Sequence, residues 1–87
     1  MRVKEIIGKK VIDANGNEVG DVQDVEIDWP NKALKALIID KASAMSKEVA
    51  GKLLSTLRIR EDEPDIPVPI EEIAAMGKFI ILSKSFE

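Results

Sequence analysis

The chain has 87 residues, 45% of them hydrophobic and 33% charged, with a formal net charge of −3. This is the composition of one ordinary globular domain (residues 1–87) with a modest core, and the absence of cysteine and histidine removes disulfides, thiolate and imidazole metal sites and His-assisted nucleophiles. The 13 basic and 16 acidic side chains are interspersed, which argues against phosphate-backbone binding as the main activity.

Met1 to Gly8 read as a first strand or a helical turn ending at Gly8. Residues 9–13 read as a strand, and Asp13-Ala14-Asn15-Gly16-Asn17 as an Asx-assisted hairpin turn with Asn15 and Gly16 suited to positive φ. From Val19 to Trp29 the apolar positions are first three apart, then two apart. That shift predicts a bulge near Gly20 to Gln23, which helps a short sheet curl. Trp29-Pro30-Asn31-Lys32 is a turn, with proline holding its predecessor extended. Leu34 to Ile39 is a nearly continuous apolar strand that pairs back on the one before it.

Within Lys41 to Leu57 a helix through Leu54 is expected, in preference to another hairpin. Ser43 or Ser46 would cap it, and Met45, Val49, Leu53 and Leu57 would share one face, with Gly51 costing roughly 1 kcal/mol of propensity. Leu57 to Arg60 reads as a short strand or the helix exit, and Glu61 to Asp65 as a solvated acidic loop. Ile66-Pro67-Val68-Pro69-Ile70 is extended and suits a sheet edge, because two of its residues lack an N–H. A one-turn helix starts near Pro69 to Ile73 and ends near Gly77, and Lys78 to Ser83 forms the last strand. The expected core is Val11, Val22, Val25, Ile27, Leu37, Ile39, Val68, Ile73, Ile80 and Leu82. The fold class is mainly β: a small, strongly bent antiparallel barrel of five or six strands with one short helix.

No constellation carries chemistry. The five glycines form neither dinucleotide- nor phosphate-loop spacing, and the serines lack a nucleophile-elbow setting. Asp13, Asn15 and Asn17 mimic the opening of a calcium loop, yet Glu18 stands where that loop needs glycine, so an Asx turn explains the same residues. Asp21, Asp24, Glu26 and Asp28 read as a solvated strand face. No catalytic, cofactor-binding or metal-ligating residue is assigned.

The residues Ile7 to Asp13, Asn15-Gly16, Val19 to Val25 and Ile27-Asp28 resemble the opening of the PRC-barrel family, found also in the photosynthetic reaction centre H subunit and in a ribosome maturation factor. Val68 to Ile73 and Gly77 to Leu82 resemble its closing pattern, whereas Lys41 to Glu63 matches nothing in it. The likeness is to the short, free-standing archaeal members. It implies barrel or half-barrel architecture, frequent dimerisation and a role as an adaptor docking other proteins, in some archaeal members for cell division. It implies no active site.

Four expectations follow for partners and place. The protein is a cytoplasmic homodimer without direct membrane insertion, since no apolar stretch approaches the roughly 20 residues of a span. Its dimer edge is Leu34 to Ile39 or the terminal strand. Its partner surface is Trp29, Pro30, Asn31 and Lys32, a rigid aromatic anchor on a proline-bounded turn, the competing reading being that Trp29 is core. RNA or ribosome association is the alternative function, through Arg2, Lys4, Lys9, Lys10, Arg58 and Arg60 if these converge. Gly8, Asn15, Gly16 and Gly20 are assigned to hairpin geometry alone.

Overall fold

The computed structural model of the protein describes residues 2–41, 47–58 and 65–85. A short helix α1 (Val3–Ile6) leads into strands β1 (Lys10–Ile12), β2 (Glu18–Asp28) and β3 (Ala33–Lys41). Helix α2 (Lys47–Leu57) follows, then β4 (Asp65–Pro69), a 3-10 turn (Ile70–Glu72), β5 (Ile73–Met76) and β6 (Ile80–Leu82). The strands form one six-stranded sheet in the order β4-β3-β2-β1-β6-β5. All neighbours are antiparallel except β1 and β6, which run parallel.

That order forces curvature. β4 and β5 are the two edges of the sheet, yet only Ile70–Glu72 separates them in sequence. Pro69 and Ile73 can therefore lie at most about 14 Å apart, whereas the edges of a flat sheet of this width are about 24 Å apart. The sheet must roll until its edges face each other, although no ladder among the described residues joins them. Bulges assist the roll. Gln23 is an extra residue in β2 against β3, Val19 is one against β1, and Ala74 is one in β5 against β6. The first lies where the three-to-two shift in the apolar spacing predicts it.

The inside of the roll is the core: Ile6, Val11, Val19, Val22, Leu37, Ile39, Leu53, Leu54, Ile66, Val68, Ile80 and Leu82. Each fully buried aliphatic of this kind contributes about 1.5–3 kcal/mol. Seven of the expected core residues are buried here, and Val25 and Ile73 pack partly against them. Ile27 does not: it is 48% exposed, because β2 runs past the strands that would cover it. Ile6, Val19, Leu53, Leu54 and Ile66 join the core without having been expected there. Ile6 is delivered by α1, the helical alternative for the N-terminal segment, whose first turn is closed by Glu5 N–H to the Arg2 carbonyl at 2.9 Å.

Several further expectations are corrected. Residues 73–76 form a strand rather than helix, since β6 offers their backbone a ladder. α2 extends to Leu57, past the expected end at Leu54, and Arg58 then terminates it at φ 57°. Its expected caps Ser43 and Ser46, together with Met45, Arg60 and most of the acidic loop, lie outside the described residues. Neither proposed dimer edge is an edge: β3 is paired on both sides by β2 and β4, and β6 by β1 and β5. The proline-bearing strand β4 does lie at the rim, as expected.

Gly20 shows why one position tolerates no side chain. It packs so closely on β3 that a Cβ there would collide with the Asp40 carbonyl oxygen and stand 2.7 Å from Ile39 Cγ2. The first is a backbone atom of a paired strand, and the second is a methyl of a buried β-branched side chain with little rotamer freedom. Gly51, on the exposed side of α2, has nothing within 4 Å of its would-be Cβ. Gly20→Ala is therefore expected to cost about 3 kcal/mol and Gly51→Ala to stabilise by about 0.5–1 kcal/mol. Urea unfolding of the two variants checks both signs.

Candidate docking surface

β2 is much longer than its cover. β1 pairs with it only from Glu18 to Asp21, and Gly8 and Lys9 add backbone bonds to Val22 at 2.8 and 3.0 Å. Beyond that point β2 has β3 alone as a described neighbour, and β4 reaches along β3 only to Ala36. Residues 23–28 and 33–35 thus project as a two-stranded arm. Its core face continues the interior outward, with Val25 opposite Leu37 and Ile27 opposite Leu34. Exposure rises along it, from none at Leu37 to 48% at Ile27 and 77% at Trp29. Trp29 is a surface residue, which excludes the core reading.

The arm's tip is held by local hydrogen bonds, as a lone hairpin in water requires. Lys32 N–H donates to the Trp29 carbonyl at 3.1 Å, and Asn31 Nδ2 donates to Asp28 Oδ2 at 2.8 Å. Lys32 adopts φ 54°, a left-handed conformation that the tight return to β3 imposes. Pro30, Asn31 and Lys32 are all exposed. Beside them Ile27, Trp29, Lys32, Ala33 and Leu34 line a shallow depression of about 360 Å³. Ile27, Ala33 and Leu34 were not among the expected surface residues. Their signal is the contrast between an 11-residue strand and the 3-residue strand beside it, which appears only once the pairing is known.

The glycine-rich hairpin serves geometry. Gly8 and Gly16 have φ of 92° and 85°, whereas Asn15 does not take the positive φ expected of it. Asn15 instead donates its backbone N–H to Asp13 Oδ1 at 2.9 Å and its Nδ2 to Ser85 Oγ at 2.7 Å. Asp13 is buried, and it also accepts the Asn17 backbone N–H at 2.8 Å and Asn17 Nδ2 at 3.0 Å. This carboxylate organises the turn, so the calcium-like spacing is accounted for as an Asx turn. Among the described residues no group of three or more metal-ligating side chains converges.

The carboxylates behave as surface and turn groups. The extra residue at Gln23 restores alternation, so Asp21, Asp24, Glu26 and Asp28 share one face of β2. Glu26 pairs with Lys35 at 3.1 Å, Asp24 Oδ1 accepts the Val25 amide at 2.7 Å, and Asp28 caps the turn. Of the basic residues, Lys10 and Arg58 stand apart. Lys9 Nζ donates to the Gly77 carbonyl, Lys10 pairs with Glu18 at 3.1 Å, and Arg58 lines a separate groove with Leu57, Pro67 and Glu71. That groove also includes Glu26, which lies roughly 16 Å along β2 from Asp21, the residue opposite Lys10.

A family model described as the PRC-barrel domain matches residues 1–84 of this chain. No curated protein matches it.

The exposed tip and the buried turn respond differently to mutation. Trp29→Ala is expected to change stability by no more than about 0.5 kcal/mol, under roughly 4 °C in Tm for a domain of this size. Asp13→Ala, which strands two backbone donors, is expected to cost about 2–3 kcal/mol. Thermal unfolding followed by circular dichroism separates the two; a Trp29→Ala loss as large as that of Asp13→Ala would show that the indole is structural.

Proposed function

The chain belongs to the PRC-barrel domain family, and on that premise we propose that it is a small non-catalytic protein-docking adaptor. The observation that carries this reading is the apolar stripe that leaves the core along the arm and ends at Trp29, 77% exposed. Tryptophan is the residue most enriched at binding hot spots, and this one is held on a hydrogen-bonded turn, so little entropy is lost when a partner covers it. The residue chemistry supports the non-enzymatic part: the sequence lacks histidine and cysteine, and each carboxylate of β2 is exposed, ion-paired or used in a turn.

The finer reading follows the family resemblance. The protein is of the short, free-standing archaeal type and works in the cytoplasm as part of a cell-division or membrane-associated complex, as a homodimer. Among the described residues no helix is long and apolar enough to cross a membrane, which fits docking rather than insertion. With β3 and β6 interior, the dimer contact falls to the rim strand β5. The rim strand β4 is less suited, because Pro67 and Pro69 remove donors from its open side. Binding to RNA ranks below docking, since Lys10 and Arg58 stand apart and Lys9 and Lys10 are engaged within the chain.

Co-purification from the native organism, with nuclease treatment and with Trp29→Ala beside the wild type, tests the proposal. The expected outcome is a set of protein partners that survives nuclease and is depleted at least about tenfold by the substitution. Recovery dominated by RNA, released by salt and by charge reversal of Lys9 and Lys10, would favour the alternative. Light scattering on the same preparations reads the dimer directly.

A further inference from the structure

The open side of the arm has a defined backbone polarity, and the prolines of β4 reveal it. Pro67 and Pro69 have no N–H, so the donors that β4 turns toward β3 are those of Ile66 and Val68. Their partners Ile39 and Leu37 therefore turn toward β4, and the intervening Ile38 and Ala36 turn toward β2. Asp24 and Glu26, opposite Ile38 and Ala36, then face β3, which leaves Val25 and Ile27 with their backbone groups on the uncovered side of β2. Two independent contacts agree. Val22, one bulge earlier, uses both of its backbone groups on that same side, toward Gly8 and Lys9. The Val25 amide is bonded to its own neighbour's side chain, Asp24 Oδ1.

This edge carries a charge code. Asp24, Glu26 and Asp28 fall on one face, while Val25 and Ile27 fall on the other and run on to the apolar depression at Trp29. A strand added at the edge places alternate side chains against the carboxylates and the intervening ones against the apolar stripe. A second copy of the same strand is a poor occupant. A two-fold pairing keeps each face on its own side, so every register sets carboxylate opposite carboxylate, which is destabilising.

We propose that the distal half of β2 is a strand-addition site for an extended segment of a partner protein in which basic and apolar side chains alternate, its last apolar residue seated beside Trp29. This rests on the adaptor reading and specifies the partner's chemistry. The incoming strand displaces the Asp24 carboxylate from the Val25 amide and uses the Val25 and Ile27 backbone groups. Its Lys or Arg side chains pair with Asp24 and Asp28 and share Glu26 with Lys35.

The test uses the whole protein and three synthetic peptides: one alternating valine with lysine, one with the same composition in blocks, and one alternating valine with glutamate. Nuclear magnetic resonance follows amide shifts and hydrogen exchange at Val25 and Ile27, and titration gives affinity. The alternating basic peptide is expected to bind at least about tenfold more tightly than either control and to slow exchange at Ile27. Trp29→Ala is expected to weaken it, and Asp24→Lys with Glu26→Lys to transfer the preference to the acidic peptide. Equal binding of the block peptide would overturn the proposal in favour of unspecific charge attraction. Slowed exchange at Ile27 that grows with protein concentration, without peptide, would overturn it in favour of a second copy. Failure of all peptides while Trp29-dependent partners are still recovered would remove the strand-addition site and leave the adaptor reading standing. The peptide comparison on the wild type decides the matter even if the lysine variant fails to fold.

Discussion

Everything in this molecule is arranged around the short tie between the two rims of its sheet. Three residues, Ile70–Glu72, connect strands that stand first and last in the sheet order. The tie cannot span a flat sheet, so the sheet rolls, and rolling creates an interior that α1 and α2 then stop with Ile6, Leu53 and Leu54. The close approach at Gly20 belongs to the same geometry. There β2 is paired on both sides, by β1 through Val11 and by β3 through Lys41, and the backbone of β3 comes too near for a Cβ.

The roll has a finite width, and β2 exceeds it. A strand of 11 residues opposite one of 3 leaves an arm whose inner face meets the core at Val25 and Leu34 and runs on past it to exposed Ile27 and Trp29. The apolar pattern of Val25, Ile27, Leu34 and Trp29 is continuous with buried Leu37, so the exposed residues are an extension of the core rather than scattered surface hydrophobics. Scattered ones need no explanation, whereas a continuous stripe with a tryptophan at its end points to a covering partner. The arm's opposite face carries Asp24, Glu26 and Asp28, and its turn is closed by Asp28 and Asn31.

The buried polar chemistry described serves the fold. The one buried carboxylate described, Asp13, is bonded to turn amides. What the fold supplies is shape and edge: a rolled sheet in which the distal half of β2 is uncovered among the described residues, with hydrogen-bonding groups, charge and an aromatic side chain in a fixed order. Recognition by such a surface depends on the pattern of a partner's side chains rather than on any single reactive group.

Much of the fold was legible residue by residue. The bulge near Gln23, the turn at Trp29 to Lys32, the rim position of Ile66 to Pro69 and most of the core follow from local signals: apolar spacing, proline's missing N–H, and Asx and Gly chemistry. These are interactions between near neighbours in the chain, and the sequence by itself determines them. It also determines the chemistry that is absent, because no fold can supply an imidazole or a thiol that the chain lacks. Strand pairing was decided only in three dimensions. β5 is strand because β6 lies beside it, Ala36 to Ile39 is interior to the sheet because β4 returns to pair with it, and Ile27 is exposed because nothing described covers it. An alternating strand announces which face is apolar but not how far its neighbour extends, since that length is set by residues elsewhere in the chain. The site therefore arises where the two levels disagree: a core pattern written locally, and a cover that the tertiary structure ends at Ala36 on one side and Asp21 on the other.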